Sequence, residues 1–327
     1  MSEKSQKPEL DSVEQILHDI KLSEIKKFKP IRISNDYVYR VGLISDMHVG
    51  ETTGLFPESY ETQSGQVVHG SKLQQILYRQ WKRIIEQFNH YKVDMIFNVG
   101  DTMGGQNPIE AGGHVLFAEM DDQKLCAEQL LKEVIGNRPN YHFSGTGYHE
   151  VRSGLHNYHA EIARDLGGEF LGPHAYLEFQ CPTRTRRVFM AHEAPTGLVY
   201  PATLMSRDIS WALASEARGD TLPVDAIVRA HIHKWLHVDH DGKHAVQLPC
   251  WLGHTPYKQT IRYYFKLQPT IGAAMMLIDK WGRFQFWGGS FPFSPPAEER
   301  TAINLLTMSQ LKVNAENKNK VIYTKLV

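Results

Sequence analysis

Five times along the chain, an apolar run of strand length ends directly on a residue able to bind a metal ion, and this recurrence constrains the fold more than any other feature. Tyr37 to Ser45 leads into Asp46-Met47-His48, Val93 to Val99 into Gly100-Asp101, and Tyr141 to Ser144 into Gly145-Thr146-Gly147-Tyr148-His149-Glu150. Arg187 to Ala191 leads into His192, and Asp225 to Ala230 into His231-Ile232-His233. One Asp-x-His triplet means little in a chain with 17 histidines; the repetition specifies a place. In open α/β sheets, ligands sit in the crevice beyond the carboxyl ends of the strands, so these ends would gather their side chains at one edge. Asp46 and His48, two apart at a strand end, are expected to share a face by the strand's period of two. Hard oxygen with imidazole suits zinc, manganese or iron.

Taken in order, Asp-x-His, Gly-Asp, Gly-x-His-Glu, His and His-x-His resemble the calcineurin-like metallophosphoesterase family, across Asp46 to His233. The resemblance implies an α/β fold, a two-sheet β-sandwich flanked by helices in four layers. It implies two divalent ions, Mn, Fe or Zn. One is held by Asp46, His48, Asp101 and His233, the other by Asp101, His192 and His231, with Asp101 bridging. It places His149 beside the ions, protonating the leaving oxygen or binding the phosphate. The family's third motif is Gly-Asn-His followed by Asp or Glu. Here Tyr148 stands where the second ion's Asn is expected, leaving that site a ligand short unless a phenolate, a water or another side chain fills in. The Gly-Thr-x-Tyr-His form also resembles a branch of the family met in phage and prophage genomes.

The 327 residues, 42% hydrophobic, suit one large soluble domain with appendages. Residues 1–35 read as a polar segment with an amphipathic helix carrying Val13, Ile16, Leu17, Ile20 and, at its far end, Ile25, packed on its own domain. The metallophosphoesterase domain spans 36–295, and a tail spans 296–327. Lys plus Arg and Asp plus Glu are both 36, so no global field draws the chain to nucleic acid or membrane. Cys126, Cys181 and Cys250 lack C-x-x-C spacing, which suits reduced core thiols. With no apolar run of bilayer length and no leader, the expectation is a cytoplasmic protein without a membrane partner.

Between the motifs, Ser71 caps a helix bearing Leu73, Leu77, Trp81, Ile84 and Phe88, with Trp81 read as core. A second helix follows Asp121 and closes at Gly136. This β-helix-β alternation predicts parallel strands, and Leu236 to Leu248 an antiparallel hairpin. The basic run Thr183 to Arg187 reads as a turn between strands. The loop after His48 reads as either a substrate wall, with Phe56 and Tyr60 as stacking candidates, or a self-packed surface loop. His114 is kept as a remote metal candidate. His156, His159, His237, His240 and His244 are expected at the surface, and Lys234 and Arg152 are candidates to neutralise substrate oxygens.

Two such ions can clamp a phosphate and activate a water for in-line attack. The expected function is therefore a metal-dependent phosphodiesterase acting on phosphate esters of nucleotides or nucleic acid. The alternative is a non-catalytic binding or assembly module with an incomplete second metal site. A metal hydrolase of another fold, such as an amidohydrolase, would want its His-x-His early, and here it comes late.

Overall fold

In the strand Tyr37–Ile44, Tyr39, Val41 and Leu43 alternate into a core shared with a second sheet. Gly42 faces the other way, under a helix so close that a Cβ would meet Ile96 Cδ1 at 2.7 Å and Phe88 Cε2 at 2.8 Å. That strand is the middle of a layered structure.

The computed structural model describes residues 25–28, 37–106, 115–152, 156–193, 201–253 and 269–291. In chain order come β1 (Ile25–Phe28), β2 (Tyr37–Ile44), the hairpin β3 (Ser59–Glu61) and β4 (Val67–His69), helix α1 (Lys72–His90) and β5 (Met95–Asn98). Next are α2 (Met120–Ile135), β6 (Asn140–His142), the single turn α3 (Gly147–Glu150), the ribbon β7 (Val151–Arg152) and β8 (His156–Asn157), and α4 (Tyr158–Asp165). Then follow β9 (Glu169–Phe170), β10 (His174–Gln180), β11 (Thr185–Ala191) and α5 (Pro201–Arg218). β12 (Ala226–Arg229), β13 (Leu236–His240), β14 (Lys243–Gln247), β15 (Ile271–Asp279) and β16 (Phe284–Phe291) complete the described chain.

The strands form two mixed six-stranded sheets, ordered β1-β10-β11-β12-β14-β13 and β16-β15-β2-β5-β6-β9. β2, β5, β6 and β9 run parallel, as the β-helix-β alternation requires, and β13 and β14 form the expected hairpin. The sheets face each other over one core. Leu177, Phe179, Val188, Met190 and Val228 of the first sheet meet Val41, Leu43, Phe97, Met276 and Ile278 of the second. Tyr39 and Phe179 touch edge to face across it at 5.0 Å.

Helices cover both outer faces. α1 begins with a reciprocal capping box: Ser71 Oγ accepts from Gln74 N–H (3.3 Å) and Gln74 Oε1 accepts from Ser71 N–H (3.0 Å). It buries Leu77, Trp81, Ile84 and Phe88, at steps of four, three and four. Trp81 is core, edge-on to Trp251 at 5.0 Å. On the opposite face, Leu204, Met205 and Ile209 of α5 pack on Val224, Ile227 and Ala245. Thr183 and Arg184 lie in the turn between β10 and β11, as read, but Thr185, Arg186 and Arg187 belong to β11 itself; Arg184 and Arg186 bond to the backbone of the turn at 281–282. Ile25, expected at the end of the N-terminal helix, instead opens β1, where it pairs with Tyr176 of β10; the rest of that helix, His114 and the C-terminal tail lie outside the described residues. Among the described residues, no helix is long and apolar enough to cross a membrane.

Candidate metal centre

The strands stop before the motif residues. β2 ends at Ile44 and β5 at Asn98, and the chain then turns sharply. Asp46, His48, Asp101, His231 and His233 all have left-handed backbones, with φ of 51°, 47°, 47°, 74° and 59°. Non-glycine residues seldom adopt this conformation. Asp46 and His48 therefore converge through two left-handed residues, not through the strand alternation expected from their spacing. Backbone bonds hold the turns together: Asp46 N–H donates to Gly100 O (3.0 Å), His48 N–H to Asp101 O (3.0 Å), and Trp251 N–H to Asp46 O (2.9 Å).

All six sequence-predicted ligands meet at this edge, in groups that could hold a metal ion. Asp46, His48 and His233 make one group; Asp101, His192 and His231 another; and Asp101 belongs also to a third, with His48 and His149. In the first, His233 Nε2 lies 3.1 Å from Asp46 Oδ1 and 3.3 Å from His48 Nε2. In the second, His192 Nε2 lies 2.9 Å and His231 Nδ1 4.0 Å from Asp101 Oδ2. His192 Nε2 is also 3.9 Å from Asp46 Oδ1, so the groups adjoin.

Three rings are fixed by acceptors at Nδ1, which turns Nε2 inward: His48 on Glu51 Oε1 (2.9 Å), His192 on Val99 O (2.7 Å) and His149 on Gly104 O (2.6 Å). Glu51 was not foreseen. It is 4% exposed, and Gln74 of α1 donates to its carbonyl (3.0 Å), so the helix braces the loop that orients His48. His159 was expected at the surface but is fully buried, and its Nε2 accepts the N–H of Thr102, the residue after Asp101. Its signal was its place between Tyr158 and Ile162 on the buried face of α4.

Electrostatics fit a cation. Burial raises the carboxyl pKa of Asp46 and Asp101, but adjacent imidazoles outweigh it, His233 and His192 for Asp46, His149 and His192 for Asp101, and both groups fall well below the ordinary value. Burial lowers His192, yet Asp101 and Asp46 lift it to about 10. Asp46 Oδ1 and His192 Nε2 are buried and make no hydrogen bond, although His233 Nε2 lies 3.1 Å from the first and Asp101 Oδ2 2.9 Å from the second. Such groups point at a shared centre more than at each other, as ligands of an ion do. His149 is buried, which lowers it to about 4 despite Asp101, so at neutral pH it is uncharged.

Other expectations change. Phe56 is fully buried and Tyr60 is 8% exposed, both rings against Phe117 of the loop that follows Asp101, so neither is offered to a substrate and the first loop packs on the second rather than on itself. His244 is buried against Phe284 and Phe286, while His237 and His240 are exposed. Tyr148 does not stand in a ligand position: it is 38% exposed, with its ring on that of His149 at 4.2 Å. Thr146, two residues earlier, lies against Asp101 and His231. Its N–H donates to Asp101 Oδ1 (2.6 Å), and its hydroxyl lies 3.1 Å from Asp101 Oδ2 and 3.3 Å from His231 Nδ1. Lys234 is half-buried beside His233, and the Arg152 side chain lies outside the described residues.

No family model and no curated protein matches the sequence. Among solved structures the chain is similar to an archaeal phosphodiesterase, at 10% identity over 76% of this chain and 98% of that one, with a TM-score of 0.38. It is also similar to a wild-type Vps29 from Entamoeba histolytica complexed with zinc, at 12% identity over 72% of this chain and 84% of that one, TM-score 0.34. A third is a predicted phosphoesterase from Streptococcus pneumoniae, at 11% identity over 74% and 83%, TM-score 0.32.

Proposed function

We propose that the chain is a calcineurin-like, metal-dependent phosphoesterase with a dinuclear centre, acting as a phosphodiesterase on nucleotide or nucleic-acid esters. The observation that carries this reading is the meeting of Asp46, His48, Asp101, His192, His231 and His233 at one sheet edge, four of them histidines, around two fully buried carboxylates. Asp101, common to two of the groups, fits a bridging role. Manganese, iron and zinc all suit the donor set. When bound, divalent ions supply Lewis acidity toward a phosphoryl oxygen and a water.

The residues supply position. Glu51, Val99 O and Gly104 O lock three imidazoles with Nε2 inward, so little reorganisation remains when a substrate arrives. His149, uncharged with Nδ1–H on a carbonyl, presents the lone pair of Nε2 3.7 Å from Asp101 Oδ2. It is set to accept a proton or hydrogen bond at neutral pH. To act as an acid it must first gain a proton, and the partner on Nδ1 is not the carboxylate that would favour this. The alternative is a non-catalytic module with an incomplete second metal site; the outward position of the Tyr148 ring favours the catalytic reading, because the ring does not fill that site.

The test pairs elemental analysis of purified protein with hydrolysis of a bis-aryl phosphodiester and an aryl monoester in added Mn²⁺. Two ions per chain with diester turnover is the expected result. No turnover of either ester with any divalent ion would overturn the reading.

A further inference from the structure

We infer that the Thr146 hydroxyl is a ligand of the second metal ion, in the place left by the missing Asn; this rests on the dinuclear reading above. The second group is otherwise short. Asp101, His192 and His231 supply three donors, and the sequence puts Tyr148 where a fourth is expected, with its side chain turned out onto His149.

Donor separations decide for Thr146. With metal–ligand bonds of about 2.0–2.2 Å, adjacent donors around one ion stand about 2.8–3.6 Å apart and opposed ones about 4.0–4.4 Å. Thr146 Oγ1 is 3.1 Å from Asp101 Oδ2 and 3.3 Å from His231 Nδ1. Asp101 Oδ2 is 2.9 Å from His192 Nε2 and 4.0 Å from His231 Nδ1. All four separations fit edges or a diagonal of one coordination shell. A hydroxyl that donates its proton to Asp101 still keeps lone pairs for an ion, a hard-oxygen donor suited to Mn²⁺ or Mg²⁺.

The backbone fixes this placement. Gly145 lies against Asp101 so tightly that a Cβ would stand 2.1 Å from Oδ1 and 2.3 Å from N, which brings the Thr146 N–H onto the same carboxylate. Two further residues, Gly147 and Tyr148, then separate this ligand from His149. The usual adjacent pair of motif residues is thus split, with Thr146 taking the metal position and His149 keeping its own.

Support for Asp101 alone would be the competing role, and the two differ in what they do to each ion. Mn²⁺ is titrated calorimetrically into the full chain and its Thr146→Ser and Thr146→Val variants. Thr146→Ser should keep two ions; Thr146→Val should keep the first at parental affinity and weaken the second tenfold or more. Thr146→Cys loaded with Co²⁺ should show a sulfur-to-cobalt charge-transfer band absent from the parent. The inference is overturned if Thr146→Val binds the second ion as the parent does, if it weakens both ions equally, or if folded, loaded Thr146→Cys shows no such band. A parent that binds fewer than two ions would instead refute the dinuclear reading itself.

Discussion

Removing the Glu51 carboxylate should weaken metal binding without disturbing the fold. His48 is 3% exposed and Glu51 4%, and Oε1 sits 2.9 Å from His48 Nδ1, so this is a buried, charge-assisted contact. Such contacts are worth about 1.5–3 kcal/mol. Loss of an outer carboxylate behind a ligating imidazole typically costs about 10–100-fold in affinity, or about 1.4–2.7 kcal/mol. The two ranges overlap, so Glu51→Ala should weaken the ion at Asp46, His48 and His233 by one to two decades. Glu51→Gln, which keeps an acceptor but loses the charge, should fall between. The contacts that brace the loop involve the main chain at position 51: Gln74 Nε2 donates to its carbonyl, and its own N–H donates to His48 O (3.1 Å). Both survive the substitution, so the metal-free variant should still fold cooperatively, its melting lowered only by the lost side-chain contact. Chelator competition measures the affinities. Parental affinity in Glu51→Ala would show that the imidazole needs no carboxylate behind it and would refute the reasoning.

Asp101→Ala should abolish metal binding and turnover together, whereas His149→Ala should retain the metal and lose about 10²–10⁴ in kcat; hydrolysis by Asp101→Ala at the parental rate would void the site. Gly145→Ala should displace Asp101, because the new Cβ would fall 2.1 Å from its Oδ1, and metal affinity measured on the folded variant should drop at least tenfold. In acid, burial holds His142, His149 and His159 at about 4, 4 and 3, below their ordinary 6.5. The unfolded chain therefore binds more protons as pH falls from 6.5 toward 4, and metal-free stability should decline through that window, read as a falling denaturant midpoint between pH 7 and pH 5. A midpoint that holds steady would count against burial of the neutral rings. His192 has the opposite sign: raised to about 10, it stabilises the metal-free fold fully below 6.5 and progressively less up to 10. Metal uptake at neutral pH should release that proton, detected by calorimetry in buffers of different ionisation enthalpy.

The sheet edge was legible because each motif residue follows an apolar run, and runs such as Met95–Asn98 must be strands when both faces are buried. How the ligands turn inward was not legible. Spacing suggests strand alternation for Asp46 and His48, but hydrogen bonds to Gly100 and Asp101, far along the chain, impose the left-handed turns that aim them. Thr146 is hidden for a related reason. Reading the motif backward from His149 puts Tyr148 in register, whereas reading forward from the strand end puts Thr146 there, and the contacts of Thr146 with Asp101 and His231, made across the fold, favour the second. Glu51 left a faint trace, an acid three residues after a ligand histidine. Phe56 and Tyr60 left a misleading one, since an aromatic in a loop states that something covers it and not what.

The left-handed backbone at five motif residues also explains why the site sits on so large a sandwich. A non-glycine residue in that conformation costs about 1–2 kcal/mol. Five together approach about 5–10 kcal/mol, the scale of a whole domain's net stability. Asp and His are both among the residue types that visit this region more readily, which keeps the total toward the lower end of that range. Such strain persists only where the surroundings over-determine it. Here the surroundings are the stitched turns of β2 and β5, the Trp251 N–H on Asp46 O, the His231 N–H on Asp46 Oδ2 (3.3 Å) and the Thr270 N–H on His233 O (2.8 Å). Loosening that frame, as by Trp81→Ala beneath Trp251, should cost about 3–5 kcal/mol of packing and lower metal affinity as well, although Trp81 touches no ligand. A variant that lost stability but bound metal at parental affinity would show that the turns hold without the core behind them.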